Sequence, residues 1–227
     1  MAASAERRTA LVTGGARGIG AAIAAELAGR GFTVVAPTRA EMELGDPASV
    51  DAYLTRHAGD RIDVLVNNAG INHLRAIDEL DGGTWDAMVQ TNLSAPLRLT
   101  QGFAAGMRER GWGRILNVSS IFGIVTKERR AAYSMTKSAL NALTRSAAVE
   151  FGPRGVLVNA LCPGYVDTAL TRQNNSPADI AAIEASIPLG RMASAEELAR
   201  VAGFLCSEEN GYLTGQMVVV DGGFLCK

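Results

Sequence analysis

The chain has few of the residues that build metal centres and disulfide frameworks. Its 227 residues contain three cysteines and two histidines. The cysteines, Cys162, Cys206 and Cys226, are odd in number and lack metal-ligand spacing, which favours free thiols. His57 and His73 are the two histidines of the sequence, which are too few for a metal site built mainly from histidine ligands. We therefore predict no metal.

Strong charge of one sign and long apolar runs are also missing. The formal net charge is −1 at pH 7, which leaves no basic stripe for nucleic acid or for an anionic membrane. No apolar run approaches the ~18 residues of a membrane span, and the first residues lack the apolar core of a signal peptide. We predict a cytoplasmic protein with no nucleic-acid partner and no membrane partner.

Alternating strands and helices are what the chain has instead. Short β-branched runs alternate with alanine-rich helical stretches, which is typical of parallel strands joined by crossover helices. The sequence predicts a single α/β domain over residues 1–227, with a Rossmann-type doubly wound parallel sheet in a three-layer α/β/α sandwich. Strands are expected near residues 9–13, 33–36, 63–67, 113–118, 156–161 and 216–220, and helices near 19–28, 48–57, 84–90, 95–110, 132–150 and 195–205.

A glycine-rich turn follows the first predicted strand. Residues 13–20 read Thr-Gly-Gly-Ala-Arg-Gly-Ile-Gly and lead into an alanine-rich helical stretch. Glycines let the backbone approach a pyrophosphate, and the free N–H groups at the start of a helix favour negative charge. The pattern predicts cofactor contacts from Gly14, Ala16, Arg17, Gly18, Ile19 and Gly20. Alone it is weak evidence, because an ordinary strand-to-helix turn is the alternative.

A tyrosine and a lysine lie four residues apart in a predicted helix. This spacing places Tyr133 and Lys137 on one helix face, about 6 Å apart along the axis. A nearby ammonium favours phenolate and lowers the pKa of the phenol toward the working range. Ser120 follows the strand expected at 113–118 and so faces the crevice where parallel sheets bind ligands. The tyrosine–lysine pair alone would more often be a solvated helix face, but the three groups together indicate proton transfer at a carbonyl oxygen.

Taken in order, these motifs resemble the classical branch of the short-chain dehydrogenase/reductase family over essentially the whole chain. The matching residues are Thr13-Gly-x-x-x-Gly-Ile-Gly20, Asn67-Asn68-Ala69-Gly70, Asn92, Ser120, Tyr133-x-x-x-Lys137, Pro163-Gly164 with Thr168, and Asp221-Gly222-Gly223. The resemblance implies an enzyme that moves a hydride between a nicotinamide cofactor and an alcohol or carbonyl group. It also implies a homo-oligomer, either a tetramer or a dimer.

The resemblance assigns roles to four catalytic residues. Tyr133 would donate the proton, and Ser120 would hydrogen-bond the same substrate oxygen. Lys137 would hold the nicotinamide ribose and keep Tyr133 acidic, while Asn92 would anchor a water that links the lysine to solvent. Alternatively, the Asn92 amide bridges a break in a helix. Further expected cofactor contacts are Thr38, Arg39, Glu43, Leu44, Asn68, Ala69, Gly70, Pro163, Gly164, Val166 and Thr168.

The segment after the second predicted strand is short. About eleven residues stand where the family usually has a full helix and a third strand, so only a stub of that strand is expected. NAD-using members carry an acidic residue there, whereas this chain has Pro37 followed two residues later by Arg39. A guanidinium suits the 2′-phosphate of NADP(H), and Arg17 points the same way. NADP(H) is favoured; NAD(H) is the alternative, because Glu41 or Glu43 could reach the ribose.

The substrate is the least determined part of the prediction. The expected pocket residues are Asn72, His73, Ser120, Phe122, Tyr133 and Tyr165, with a lid over residues 168–190. Arg172 resembles one of the basic surface residues with which 3-oxoacyl-carrier-protein reductases receive an acidic acyl carrier, and Arg110 lies one position from another.

We therefore predict an NADPH-dependent ketone or 3-oxoacyl thioester reductase. One alternative is an NAD-dependent alcohol, polyol or sugar dehydrogenase, because one scaffold serves many substrates. The other is a sensor or scaffold that binds the cofactor without turnover. The intact Ser120, Tyr133 and Lys137 argue against that second alternative.

Overall fold

Six strands and eight α-helices make up the described part of the chain. A computed structural model describes residues 7–173 and 175–226. The strands are β1 (Thr9–Val12), β2 (Thr33–Val35), β3 (Val64–Asn67), β4 (Gly113–Val118), β5 (Val156–Pro163) and β6 (Met217–Val220). The helices are α1 (Gly18–Gly29), α2 (Pro47–Arg56), α3 (Gly82–Val89), α4 (Ala95–Arg110), α5 (Ala131–Phe151), α6 (Ala169–Gln173), α7 (Pro177–Ala185) and α8 (Ala195–Cys206). None of the helices in the described ranges is long and apolar enough to cross a membrane.

The strands form one parallel sheet in the order β2-β1-β3-β4-β5-β6. In the register of the central strands, Leu11 of β1 stands between Val35 of β2 and Leu65 of β3. The strand order reverses between β1 and β3, and ligands of such sheets bind outside the carboxyl ends of the strands at that point. The predicted doubly wound parallel sheet is confirmed. The crevice lies at the carboxyl ends of β1 and β3, beside the glycine-rich turn.

Successive side chains of each strand enter two separate cores. Leu11 packs in the core that contains residues of α2, α4 and α5. Its neighbours Ala10 and Val12 pack in the core that contains residues of α1 and α8. Both faces of the sheet are therefore covered, which explains why the strands read as continuous apolar runs. The predicted three-layer sandwich is confirmed.

Residues 36–46, between β2 and α2, contain no strand. The backbone turns back on itself instead, with the Met42 N–H donating to the Thr38 carbonyl at 3.0 Å. Met42 and Leu44 are 5% and 8% exposed and fill the core on the α2 side. The predicted strand stub is wrong, because eleven residues are too few for a parallel crossover that must also return to α2. We call this segment the 36–46 loop; it leaves β2 as the edge strand.

The segment expected to be an irregular lid contains two helices. Residues 168–190 include α6 and α7, while Asn174 lies outside the described residues. Ser176 caps α7 reciprocally with Asp179: the Asp179 N–H donates to the Ser176 hydroxyl at 3.2 Å, and the Ser176 N–H donates to the Asp179 carboxylate at 3.0 Å. This Ser-Pro-x-Asp pattern is a sequence signal for a helix start that the prediction overlooked.

Candidate active site

The glycine-rich turn forms an open cradle at the start of α1. Gly14 and Gly18 have φ values of 65° and 55°, which favour glycine. A β-carbon placed on Gly20 would lie 2.3 Å from the Gly14 carbonyl oxygen, so the turn closes only with glycine there. Arg17 precedes the helix without a side-chain capping bond, and the first turn of α1 carries no acidic residue. The first N–H groups are thus left for an external anion.

Asn68 and Thr13 hold this cradle against the end of β3. The Asn68 side chain donates to the Thr13 carbonyl oxygen at 2.9 Å. In return, the Thr13 hydroxyl accepts from the N–H groups of Asn68 and Ala69 at 3.0 and 3.1 Å. The Asn-Asn-Ala-Gly segment therefore fixes the position of the turn, which gives Asn68 and Ala69 a structural role beside their predicted cofactor contact.

Asn92 is buried in a single π-helical turn, Gln90–Ser94, between α3 and α4. Its side-chain oxygen accepts from the Ile71 N–H at 2.8 Å, and its side-chain nitrogen donates to the Ile71 carbonyl at 2.8 Å. The amide thus satisfies the backbone of the segment after β3, and not a break in its own helix as the structural alternative expects. A β-carbon on Gly70 would lie 3.2 Å from Asn92 Oδ1 and 3.5 Å from Lys137 Nζ, so these residues meet at one point of the crevice wall.

Ser120, Tyr133 and Lys137 come together where β4 ends and α5 begins. The Ser120 hydroxyl accepts from the Phe122 N–H at 3.1 Å and is hydrogen-bonded to the Tyr133 phenol. Lys137 Nζ donates to the Val118 carbonyl at 2.8 Å and lies 5.6 Å from the centre of the Tyr133 ring. The structure therefore places the predicted catalytic side chains in one constellation.

Burial has the largest effect on the ionisation of this constellation. Burial raises the pKa of Tyr133, while the Ser120 hydrogen bond and the charge of Arg130 lower that pKa by less. Burial also lowers the pKa of Lys137 to about 8. The prediction that Lys137 pulls the pKa of the phenol down is therefore wrong for this structure. Near neutrality Tyr133 keeps its proton, as a proton donor must.

An aromatic wall borders the same end of the crevice. Phe122 and Tyr165 meet edge to face with ring centres 6.2 Å apart, and Tyr165 meets Phe224 in the same way at 5.5 Å. The Arg130 guanidinium stands 4.4 Å from the centre of the Phe122 ring. The sequence analysis missed Phe224 and Arg130, because no local pattern shows that the chain end returns to this wall. The other two predicted pocket residues, Asn72 and His73, are exposed.

The loop after β5 faces the glycine-rich turn across the crevice. Pro163 ends β5, and the Gly164 N–H donates to the Val220 carbonyl at 2.9 Å. Val166 is buried, and a methyl carbon of Thr168 lies 3.8 Å from a β-carbon placed on Gly18. This loop is therefore close enough to touch a ligand that lies on the turn.

At the other end of the crevice, the 36–46 loop carries the remaining predicted cofactor residues. Arg39 Nε lies 3.1 Å from one Glu43 carboxylate oxygen, and the other oxygen accepts from the Gly45 N–H at 3.0 Å. The Thr38 N–H and hydroxyl donate to Glu41 at 2.7 and 2.8 Å. Both acids that could reach a ribose are thus already bonded within the loop.

Comparison with known proteins agrees with this geometry. A family model described as enoyl-(acyl carrier protein) reductase matches residues 14–225. The 3-oxoacyl-[acyl-carrier-protein] reductase FabG of Escherichia coli is 34% identical, over 96% of this chain and 97% of that protein. The acetoacetyl-CoA reductase of Shinella zoogloeoides is 37% identical, over 95% and 98%.

The chain belongs to the short-chain dehydrogenase/reductase family. It is an oxidoreductase that transfers a hydride between a nicotinamide cofactor and a CH–OH or C=O group. A solved structure of this family, titled a putative NAD(P)-dependent gluconate 5-dehydrogenase from Beutenbergia cavernae with bound NADP, superposes with a TM-score of 0.92. That chain is 37% identical, with 97% of each chain covered.

The two arginines expected to receive an acyl carrier are engaged within the chain. Arg172 Nε donates to Asp167 at 2.6 Å, in a pair whose side chains are 60% and 39% exposed. Arg110 lies 3.2 Å from Asp63 and donates to the Ile62 carbonyl at 2.7 Å. Those partners precede β3, at the amino ends of the strands, whereas the crevice lies at the carboxyl ends. Arg110 therefore lies away from the crevice, and its expected role toward an acyl carrier stays a prediction.

Proposed function

We propose that this member of the family is an NADPH-dependent reductase of a ketone or a 3-oxoacyl thioester. The observation that carries the proposal is the placement of Ser120, Tyr133 and Lys137 together at the carboxyl end of β4, with Lys137 Nζ 5.6 Å from the centre of the Tyr133 ring. One tyrosine can serve as the acid in reduction and as the base in oxidation, so the direction is proposed from the two relatives that are named reductases. The names of the E. coli and Shinella relatives support an oxoacyl thioester as the substrate.

In this proposal each residue of the constellation has one task. The bound cofactor supplies the hydride. Tyr133 donates its proton to the carbonyl oxygen, and Ser120 hydrogen-bonds that oxygen as negative charge develops on it. Lys137 uses one N–H on Val118, so two donors of its ammonium remain for the nicotinamide ribose hydroxyls. Asn92 keeps the crevice wall in place through Ile71 and anchors the predicted water beside Lys137.

The crevice fits a dinucleotide along its length. The glycine cradle and the uncapped start of α1 suit the pyrophosphate, and Thr168 stands opposite to hold the nicotinamide carboxamide. Arg17 and Arg39 would bind the 2′-phosphate of NADP(H), with Leu44 beneath the adenine. The NADP bound in the Beutenbergia structure supports this choice. NAD(H) stays the alternative, since both Glu41 and Glu43 lie on the same loop.

The test is NADPH consumption against a matched substrate panel. We expect turnover with acetoacetyl-CoA or a longer 3-oxoacyl thioester, and none with the crotonyl thioester, which offers a C=C bond in place of the ketone. A 5-keto sugar acid is included because the superposed structure is titled a gluconate 5-dehydrogenase. Turnover of the sugar acid alone would replace the thioester proposal. No turnover with any carbonyl, despite tight NADPH binding, would favour a sensor or scaffold.

We propose that the single domain carries its lid at residues 168–190, where α6 and α7 border the crevice next to Thr168. Closure of such segments excludes water and commits the substrate. The acyl carrier stays a candidate partner, although Arg172 would have to leave Asp167 to meet it. The cytoplasmic location also stays a prediction.

We also propose a homo-oligomer, a dimer or tetramer, that packs through α4 and α5. Leu97 on α4 and Val149 on α5 are 38% and 78% exposed, so both helices carry an apolar side chain that a second copy of the chain could cover. Ala147 of α5 is 4% exposed and belongs to the chain's own core, so it lies outside the proposed interface. Light scattering that shows only a 23.8 kDa particle would refute the assembly.

A further inference from the structure

Arg39, the proposed phosphate ligand, is already paired with a carboxylate. Its Nε lies 3.1 Å from Glu43, and no hydrogen bond from its terminal nitrogens is seen in the described residues. A guanidinium binds carboxylates and phosphates through the same N–H donors. The Glu43 carboxylate therefore already holds the Nε donor and offsets part of the positive charge that a 2′-phosphate would need, while the terminal N–H donors stay available.

The two partners are held with unequal strength. Glu43 is fixed from both sides: its N–H donates to the Ser49 hydroxyl at 2.9 Å, and its carboxylate accepts from Gly45. The buried Met42 and Leu44 flank it and anchor its backbone. The Arg39 side chain is 80% exposed and has this single partner. If a 2′-phosphate replaces Glu43 as the partner of Arg39, the Arg39 side chain would therefore move and Glu43 would stay in place.

The short 36–46 loop is what brings these residues together. Arg39 and Glu43 are four residues apart in the sequence. The turn from Thr38 to Met42 brings their side chains within reach of each other. A bound 2′-phosphate would place a second negative group beside the guanidinium. The fixed Glu43 carboxylate would repel that phosphate. An exposed ion pair is weak enough to be displaced, but its loss still reduces the net gain from the phosphate.

We infer that Glu43 is a specificity-determining residue, which competes with the 2′-phosphate for Arg39 and so narrows the enzyme's preference for NADP(H) over NAD(H). The inference rests on the proposed NADPH-dependent function, because it takes Arg39 as the phosphate ligand. It adds that the preference between NADP(H) and NAD(H) depends on whether the Arg39 guanidinium pairs with Glu43 or with the 2′-phosphate of the cofactor.

The test measures binding of 2′,5′-ADP and 5′-AMP, which differ only in the 2′-phosphate, by calorimetry. Glu43→Gln should tighten 2′,5′-ADP binding relative to 5′-AMP binding by about two- to fivefold, the range of an exposed ion pair. A contact of Glu43 with the adenosine part, which both ligands share, cancels in this ratio. Glu41→Gln is the matched control, because it removes a charge two residues away that is bonded to Thr38. It should leave the ratio of the two affinities unchanged.

A double-mutant cycle assigns the effect to the pair. In an Arg39→Ala background, Glu43→Gln should no longer tighten 2′,5′-ADP binding. Weaker 2′,5′-ADP binding in Glu43→Gln would overturn the inference, since it would mean that Glu43 orients Arg39 instead of competing for it. So would an equal effect of Glu41→Gln, or an effect that survives in the Arg39→Ala background.

Failure of the proposed function would look different. A wild-type protein that binds 5′-AMP as tightly as 2′,5′-ADP, or that fails to oxidise NADPH with any carbonyl, would remove the NADPH proposal itself. A wild type that prefers 2′,5′-ADP and reduces a carbonyl with NADPH, with no change in Glu43→Gln, would remove only the role of Glu43.

Discussion

At one end of the crevice Lys137 is 3% exposed, whereas at the other end the Arg39 side chain is 80% exposed. The proposed reaction centre, formed by Asn92, Ser120, Tyr133 and Lys137, lies between β4, α5 and the π-helical turn. Its members bond to backbone groups of neighbouring elements, such as Val118 and Ile71. The charged residues of the 36–46 loop bond to partners within a few residues along the chain.

This difference separates chemistry from selectivity. A charge or hydroxyl in the reaction centre has lost its water, so each remaining contact shifts a pKa or holds a reacting group. The loop residues keep their water, so each ion pair contributes little and is easily exchanged. Substitutions in the reaction centre should therefore change turnover and stability strongly. Substitutions in the loop should change cofactor preference by modest factors.

The largest expected effect is in the reaction centre. Tyr133→Phe removes the proton donor but keeps the ring, so turnover should fall by on the order of 10² to 10⁴ while NADPH affinity stays nearly normal. Steady-state rates with the best substrate of the panel, together with NADPH fluorescence titration, measure both quantities. A variant with near-normal kcat would show that Tyr133 is not the donor.

Removing the buried charge of Lys137 should raise the stability of the protein and abolish its activity. Lys137→Met relieves the cost of burying an ammonium whose pKa is lowered to about 8. At about pH 7 the unfolding free energy should rise by about 2 kcal/mol, after allowance for the lost bond to Val118, while turnover is lost.

The pH dependence of that stability difference has a definite sign. Between the lowered pKa of about 8 and the ordinary value of 10.5, folded wild-type protein binds fewer protons than unfolded protein. Wild-type stability therefore gains as pH rises through this window, and the advantage of Lys137→Met should shrink. Urea unfolding at about pH 7 and about pH 10 measures it. If the stability advantage of Lys137→Met stays constant or grows with pH, burial of the Lys137 ammonium does not destabilise the wild-type protein as proposed.

At the loop end, Arg39→Ala should act on one cofactor only. We expect the KM for NADPH to rise about tenfold, because a charge-assisted pair with the 2′-phosphate is lost, and the KM for NADH to stay nearly unchanged. Initial rates with both cofactors at saturating substrate give the comparison. Equal changes for NADPH and NADH would show that Arg39 does not meet the 2′-phosphate.

The same contrast explains what the sequence could predict. The six strands were found within two residues of their ends, because apolar runs buried on both faces carry a strong signal. The side chains of the proposed reaction centre could be named because the family motifs keep their spacing, and their catalytic roles stay predictions. The path of the 36–46 loop could not be read, since it depends on the burial of Met42 and Leu44 against helices distant in sequence.

The ionisation of the reaction centre was also beyond sequence reasoning. Spacing brought Lys137 near Tyr133, but the sign of the phenol's pKa shift depends on how much water the fold removes. Likewise, the pairing of Arg39 with Glu43 follows from the turn at Thr38, which no local pattern announced. In each case the residue types were read correctly and the environment that sets their energies was not.

The smallest expected effect comes from Glu41, whose bonds to Thr38 hold the pKa of its carboxyl below the usual range. A carboxylate with a lowered folded pKa contributes stability that is present above its unfolded pKa and is lost as pH falls through the folded value. Glu41→Gln should therefore lower the thermal midpoint slightly near neutrality, and the difference from wild type should vanish as pH falls through the carboxyl range. Thermal unfolding at several pH values checks this. A large midpoint change, or a loss of turnover, would show that the loop is coupled to the reaction centre and would break the division between the two ends of the crevice.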